Sequence, residues 1–303
     1  MQKHIPVLLE ETLELLAPKA GDRVLDVTLG LGGHSEKLLE AIGPTGSLVA
    51  LDADEENIAV ARQWLRIFES QVTILHTNFG ELPDCLPEHR RQFDVILADL
   101  GLSSPHIDDP KRGFMFREDA PLDMRFDRSQ GMTASLLLAS LDEDRLLHIF
   151  WEYGELPSVR RLVDEIIRRR RDFPVRTSMD LVDVANKMYS YKAPKVLPQI
   201  FQALRIAVNR EKEMLQKFLD VLPSLLASSG RAVIISYHSL EDTLVKSSFR
   251  LLSTDKKNAL TGAVSKQASF RTLTKKPIIA SEREVEQNSR SRSARLRAIL
   301  RCS

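Results

Sequence analysis

Cysteine is scarce: the 303 residues contain two, Cys85 and Cys302. They lie far apart with no paired spacing, which argues against a disulfide framework or a zinc site and for a reducing compartment. Long apolar runs are missing too. No stretch approaches the roughly 20 apolar residues of a membrane span. The N-terminal stretch Val7–Leu16 is broken by Glu10, Glu11 and Glu14, unlike a secretory signal. The seven histidines are scattered and Glu241-Asp242 has no companions at ligand spacing, so no metal is expected. There is no internal repeat and no low-complexity segment. What remains is a globular chain of one large or two ordinary domains, long enough for an ample core and expected in the cytoplasm.

The net charge of +1 hides an asymmetry. Lys266–Ser303 carries ten Lys/Arg against three Glu, a net +7, leaving −6 for the rest. A basic tail on a mildly acidic body suits a polyanionic partner, RNA or DNA. The plainer reading is a solvated tail.

The first hundred residues alternate strand and helix patterns. Strands are expected at Arg23–Val27, Ser47–Asp52, Val72–His76 and Phe93–Leu100, and helices at His34–Ile42 and Glu55–Phe68. That rhythm predicts βαβ units, a parallel sheet and helices on both faces. Gly101–Gly131 is then a long Gly/Pro-punctuated loop, of a length uncommon without a function. A helical region follows. Val159, Leu162, Val163, Ile166 and Ile167 mark one helix over Ser158–Arg171, and Thr177 with Asp180 has capping-box spacing. Pro194 and Pro198 punctuate before a long helix from about Gln199 to Leu219. Strand character returns at Arg231–Tyr237, Phe270–Thr274 and Ala294–Leu300. The pattern is a doubly wound α/β domain interrupted by a helical insertion, with boundaries set at 1–110 and 205–303 for the first and 111–204 for the second.

The segment Val24–His34 ends a strand and opens a helix through Gly30, Gly32 and Gly33. Glycine permits positive φ and close backbone approach to a ligand, and the strand end is where open α/β sheets bind theirs. Asp52 ends the second strand 22 residues after Gly30, placed to accept from ribose hydroxyls. Nicotinamide and adenosylmethionine binders share these features. The nicotinamide fingerprint Gly-x-Gly-x-x-Gly/Ala fails, because its last position is Ser35. Asp26 within the first strand favours S-adenosylmethionine. Phe79, after the third strand, is either an adenine-stacking ring or a core residue.

The fourth strand ends Asp99-Leu100-Gly101-Leu102-Ser103-Ser104-Pro105-His106. An exocyclic amine on a base is a poor nucleophile, since its lone pair is delocalised into the ring. Acceptors for its N–H groups localise the pair and hold it in line for attack. Asp99 is such an acceptor.

With Arg112-Gly113-Phe114, Pro121–Arg125, Phe201–Ile206, Ser236–Asp242 and Arg290–Arg297, these segments resemble the bacterial 16S rRNA cytosine-N4 methyltransferases (the RsmH, or MraW, family) over nearly the whole chain. The resemblance implies a Rossmann-like class I methyltransferase sheet with an inserted helical domain for substrate recognition. It implies methylation of N4 of a cytidine in the small-subunit decoding centre, with 16S rRNA as partner. Carried over by position, Gly32, Gly33 and His34 contact the cofactor near its methionine end, Asp52 holds the ribose, Phe79 the adenine, and Asp99 and His106 flank the methyl-transfer point. His106 stands where glutamine is common, Thr243 where arginine is usual and Ser289 where proline is usual.

Arg112, Arg117, Arg125 and Arg128 interleave with Phe114 and Phe116, a pattern that suits single-stranded RNA with a splayed base. The alternative is a loop anchored by its phenylalanines. Phe114 or Tyr237 is a candidate to stack on a flipped base. His238 is either a base for the departing proton or a structural histidine. Arg168–Arg171 closes a helix, where the macrodipole favours cations without any ligand. Two competing functions remain at this level: a nicotinamide oxidoreductase, disfavoured by Ser35, and a non-catalytic rRNA-binding assembly factor on the same fold.

Overall fold

The computed structural model describes residues 5–86, 92–156, 158–257 and 264–303. The chain forms two compact units, Met1–Gly101 with Glu213–Ser303, and Leu102–Lys212. These junctions lie nine residues before and eight after those expected from the sequence. Leu102, Ala207 and Val208 pack against the helical core, which moves both boundaries outward.

In the first unit the early elements are α1 (Leu9–Leu16), β1 (Arg23–Asp26), α2 (Gly33–Ile42), β2 (Ser47–Asp52), α3 (Glu55–Trp64), β3 (Val72–His76), α4 (Leu82–Cys85) and β4 (Phe93–Asp99). After the insertion come α11 (Glu211–Leu225), β5 (Leu226–Ser236) and α12 (Ser239–Leu252). A two-stranded ribbon, β6 (Lys256–Lys257) with β7 (Val264–Lys266), precedes β8 (Phe270–Thr272), α13 (Glu282–Gln287) and β9 (Arg295–Arg301). Seven strands make one sheet in the order β3-β2-β1-β4-β5-β9-β8. The first five are parallel, and β9 runs antiparallel to both its neighbours. The order reverses between β1 and β4, the switch point at which such sheets bind ligands.

Alternate strand residues serve opposite faces. Leu25, Ile96, Ala98 and Ile234 pack with Phe218 and Leu222 of α11 and Phe249 of α12. Val24, Val95, Leu97 and Val233 pack with Leu38, Leu39 and Ile42 of α2 and Ile58 and Ala61 of α3. Burial on both faces explains the unbroken apolar stretches Val95–Ala98 of β4 and Ala232–Ile235 of β5.

Three expectations are corrected here. The helix expected over Glu55–Phe68 stops at Trp64 and tightens into a 3-10 segment, Arg66–Gln71, because Leu65 leaves the helical region at ψ 7°. The basic C-terminal segment is no solvated tail. β9 is an interior strand, and the buried Arg297 guanidinium donates to Asp242 at 2.6 and 3.1 Å. The helix expected over Gln199–Leu219 is two helices, broken at Arg210, whose φ of +52° caps the first.

That first helix belongs to the second unit, whose elements are α5 (Ser104–Asp108), α6 (Ala134–Ser140), α7 (Glu143–Glu152), α8 (Val159–Arg169), α9 (Ser178–Tyr189) and α10 (Ala193–Asn209). Pro194 sits in the first turn of α10, where a missing N–H costs nothing. The capping box at Thr177 and Asp180 opens α9. The apolar face of α8 enters a core with Leu146, Phe150, Leu181, Ile200 and Leu204. Each such fully buried side chain contributes about 1.5–3 kcal/mol. Among the described residues no helix is long and apolar enough to cross a membrane.

Candidate active site

The glycine turn is built from its own hydrogen bonds. Leaving β1, Val27 N–H donates to Leu97 of β4 and Leu29 N–H to Leu51 of β2. Gly30 and Gly32 then take φ of +52° and +86°. A Cβ on Gly32 would meet Leu65 and Ala61 only at ordinary contact distance, so conformation and not space requires glycine there. Gly32 caps α2, whose first residues are Gly33 and His34.

Asp52 reaches back to this turn. One oxygen accepts from Gly30 N–H at 2.7 Å, the other from Asp54 N–H at 2.8 Å. The half-buried carboxylate thus stands beside the turn at the end of β2. Asp26 is 1% exposed and faces inward. It accepts from Ser35 Oγ at 2.6 Å and from Thr28 N–H at 3.1 Å. Burial raises its carboxyl to about 6, against the pull of those two donors. Asp26 therefore tethers the turn to the first turn of α2. Ser35, which enters the sequence reading only as a failed fingerprint position, is its main partner.

Asp99 ends β4. Its backbone N–H donates to Thr28 Oγ1 at 2.6 Å, and Tyr237 OH donates to Oδ1 at 2.8 Å. Oδ2 lies 3.6 Å from His34 Nδ1, while His34 Nε2 is 3.0 Å from the Val7 carbonyl. Asp99 keeps 21% of its side chain exposed, so unlike Asp26 it can offer an oxygen to an incoming group. Burial raises its carboxyl to about 7; the Tyr237 hydrogen bond opposes this, and the charges of Asp26 and Glu241 reinforce it.

The segment Ser236–Asp242 serves the same strand ends. Tyr237 lies against Gly101, where an added Cβ would stand 3.0 Å from the ring and φ is +106°. Burial and the Asp99 charge hold the Tyr237 phenol well above its usual range. Its N–H donates to Glu241 Oε2 at 2.9 Å. His238 caps α12 and lies 3.1 Å from Glu241 Oε1. Tyr237 and His238, expected at a substrate, thus have partners within the protein. Phe79 follows β3, half-buried, edge-on to Phe218 at 5.9 Å. Thr28, Ser35 and Glu241 are the residues that sequence reasoning missed. For Thr28 and Ser35 the signal was a short polar side chain beside a strand end, and for Glu241 its place in the Ser236–Asp242 segment.

The remaining candidates lie in the helical unit. His106 is 3% exposed; its Nδ1 accepts from Ser103 N–H at 3.1 Å, and its ring stacks on Phe126 and tilts against Phe114. Phe114 is a core residue. Arg112 is 1% exposed and donates to the Arg125 and Phe126 carbonyls at 3.0 and 3.1 Å. Arg125 makes a two-point contact with Asp123 at 2.7 and 3.0 Å. The expectation that Arg112 and Phe114 face RNA is therefore corrected: they organise the loop from inside. Arg117 and Arg128 are its exposed arginines. Arg168 and Arg169, with Lys187, bind Glu165, and Arg170 donates to backbone carbonyls, which accounts structurally for much of the Arg168–Arg171 run.

A doubly wound sheet with an antiparallel penultimate strand, a glycine turn after β1 and acids ending β2 and β4 defines a Rossmann-like S-adenosylmethionine-dependent methyltransferase. Within that class the chain belongs to the MraW methylase family, whose family model matches residues 1–302. It is 43% identical over 304 residues to ribosomal RNA small subunit methyltransferase H of Geobacter sp. (strain M21), covering 98% of this chain and 97% of that protein. A protein of the same name from Picosynechococcus sp. (strain ATCC 27264 / PCC 7002 / PR-6) is 42% identical over 299 residues, covering 97% and 95%. A solved SAM-dependent O-methyltransferase from Thermotoga maritima aligns over 100% of this chain and 68% of its own, with a TM-score of 0.43 and 10% identity.

Proposed function

We propose that this protein is a 16S rRNA (cytosine-N4)-methyltransferase that modifies a cytidine in the decoding centre of the small ribosomal subunit. Membership of the family over the whole chain supports this, as do the names of its relatives. The observation that carries the chemistry is Asp99: a partly exposed carboxylate at a strand end, one oxygen fixed by Tyr237. Such an oxygen accepts an N–H of the cytosine amine, localises the nitrogen lone pair and sets its direction.

S-adenosylmethionine supplies an electrophilic methyl group on a sulfonium. The residues present fit it: the partly exposed Gly30 stands beside the Asp52 carboxylate, which suits a ribose, and Phe79 stands at the next strand end, partly exposed. Gly33 and His34 open the adjoining helix. Asp26 supports the site from beneath by holding Ser35 and Thr28. In this reading residues 1–101 and 213–303 form the catalytic domain and 102–212 recognise substrate, with Arg117 and Arg128 offered to phosphates. In the same reading the protein acts in the cytoplasm, with 16S rRNA of the small subunit as its partner.

Nucleoside mass spectrometry of 16S rRNA from cells with and without the protein tests the reading. Loss of one N4-methylated cytidine, restored by the parent gene, is expected. An unchanged nucleoside profile rejects it.

A further inference from the structure

Methyl transfer to an amine leaves a proton to be disposed of. The amine lone pair forms the new N–C bond, the C–S bond breaks with its electron pair leaving on sulfur, and the nitrogen is left with one proton too many. From the arrangement around Asp99 we infer that Asp99 and His34 form a proton-sharing pair that accepts it, with Tyr237 as the residue that orients the pair. This rests on the reading of Asp99 as the acceptor for the substrate amine.

Three contacts carry the inference. His34 Nε2 lies 3.0 Å from the Val7 carbonyl, which can only accept, so the ring proton sits on Nε2. The nitrogen that turns to Asp99 is then Nδ1, 3.6 Å from Oδ2. Tyr237 OH occupies Oδ1 at 2.8 Å, which leaves Oδ2 as the oxygen that takes a proton. A proton received from the amine on Oδ2 therefore faces His34 Nδ1. The pair holds it either as a neutral carboxyl beside imidazole or as carboxylate beside imidazolium.

The surroundings favour one shared proton. Asp26, Glu241 and the phenol of Tyr237 act on Asp99, which His34 faces at 3.6 Å. The two carboxylates disfavour a further negative charge there, and the carboxyl is raised to about 7, close to working pH for a proton acceptor. His34 is 7% exposed on the first turn of α2, fixed by its neighbours' packing. Its side chain is thus given a role besides the cofactor contact that the family resemblance implies.

Two measurements test the pair. In 15N NMR of the free protein, His34 should show the tautomer protonated on Nε2. Its titration midpoint should fall by about one pH unit in Asp99→Asn, where the facing carboxylate is removed. The second is the single-turnover rate of methyl transfer to unmodified small subunits, from about pH 6 to about pH 9. His34→Gln keeps a donor for the Val7 carbonyl and removes Nδ1. At saturating cofactor it should lose about tenfold in plateau rate and shift the acidic limb to lower pH, because the carboxylate–imidazolium form no longer exists. A His34 midpoint indifferent to Asp99→Asn, or a His34→Gln profile that superimposes on the parent, overturns the inference. A parent that transfers no methyl at any pH overturns the functional reading instead, and the NMR measurement then decides the pair by itself.

Discussion

The hydroxyl of Tyr237 donates to Oδ1 of Asp99 at 2.8 Å, joining the ends of β5 and β4 across 138 residues of sequence. The bond favours the ionised carboxyl and opposes the rise that burial causes. Tyr237→Phe should therefore raise the Asp99 midpoint above about 7. A rise of about one unit is equivalent to about 1.4 kcal/mol. The acidic limb of the single-turnover pH profile should move to higher pH, the opposite direction from His34→Gln. A limb that stays in place shows that the hydroxyl does not act on the carboxylate.

Gly101 allows that contact. A side chain would be strained at its φ of +106°, and a Cβ 3.0 Å from the Tyr237 ring would push the ring aside. Gly101→Ala should destabilise the protein by about 1–3 kcal/mol and displace the Tyr237 ring. Thermal unfolding reads the first effect, and a single-turnover defect resembling that of Tyr237→Phe reads the second.

Asp26 makes stability depend on pH. Its carboxyl is raised to about 6 in the folded protein from an ordinary value of 3.8, so the folded state holds this proton more tightly than the unfolded chain. The contribution is greatest below the ordinary value and is lost as pH climbs through about 6. Asp99 acts in the same direction up to about 7. Denaturation of the parent should show stability falling between about pH 4 and about pH 7, by about 2–3 kcal/mol from Asp26 alone. In Asp26→Asn the fall should be smaller. Equal slopes in the two proteins contradict the assignment.

The arginines of the helical unit divide by burial. Arg112→Ala leaves the Arg125 and Phe126 carbonyls without their donor and should cost about 3 kcal/mol in unfolding experiments. Arg117→Ala and Arg128→Ala should change stability by about 0.5 kcal/mol or less. Each should weaken binding to small subunits and reduce the salt dependence by about one counterion. If Arg112→Ala unfolds like the parent, the loop is not organised from inside as described.

The sheet was legible in the sequence because its strands are short, apolar and separated by amphipathic helices. Burial on both faces writes itself into composition. The glycine turn was legible for the same kind of reason, since Gly30 and Gly32 occupy left-handed backbone that disfavours a side chain. What the sequence hid depends on side-chain direction. Interleaved Arg and Phe read equally well as a nucleic-acid surface or as an interior, and only packing shows that Arg112 points in and Arg128 out. The break at Arg210 was invisible because neither proline nor glycine marks it. The strands of the +7 segment were legible as apolar stretches, but the burial of Arg297 was not, because the Asp242 that neutralises it lies 55 residues away in sequence.

The central claim is that this chain methylates a cytosine amine presented to Asp99. The most direct measurement is transfer of labelled methyl groups from S-adenosylmethionine to small subunits isolated from cells lacking the protein, comparing the parent with Asp99→Ala and identifying the labelled nucleoside by mass spectrometry. The parent should label one N4-methylcytidine, and Asp99→Ala should be slower by at least about a hundredfold at saturating cofactor. Equal labelling by the two proteins, or no N4-methylcytidine from the parent, contradicts the account.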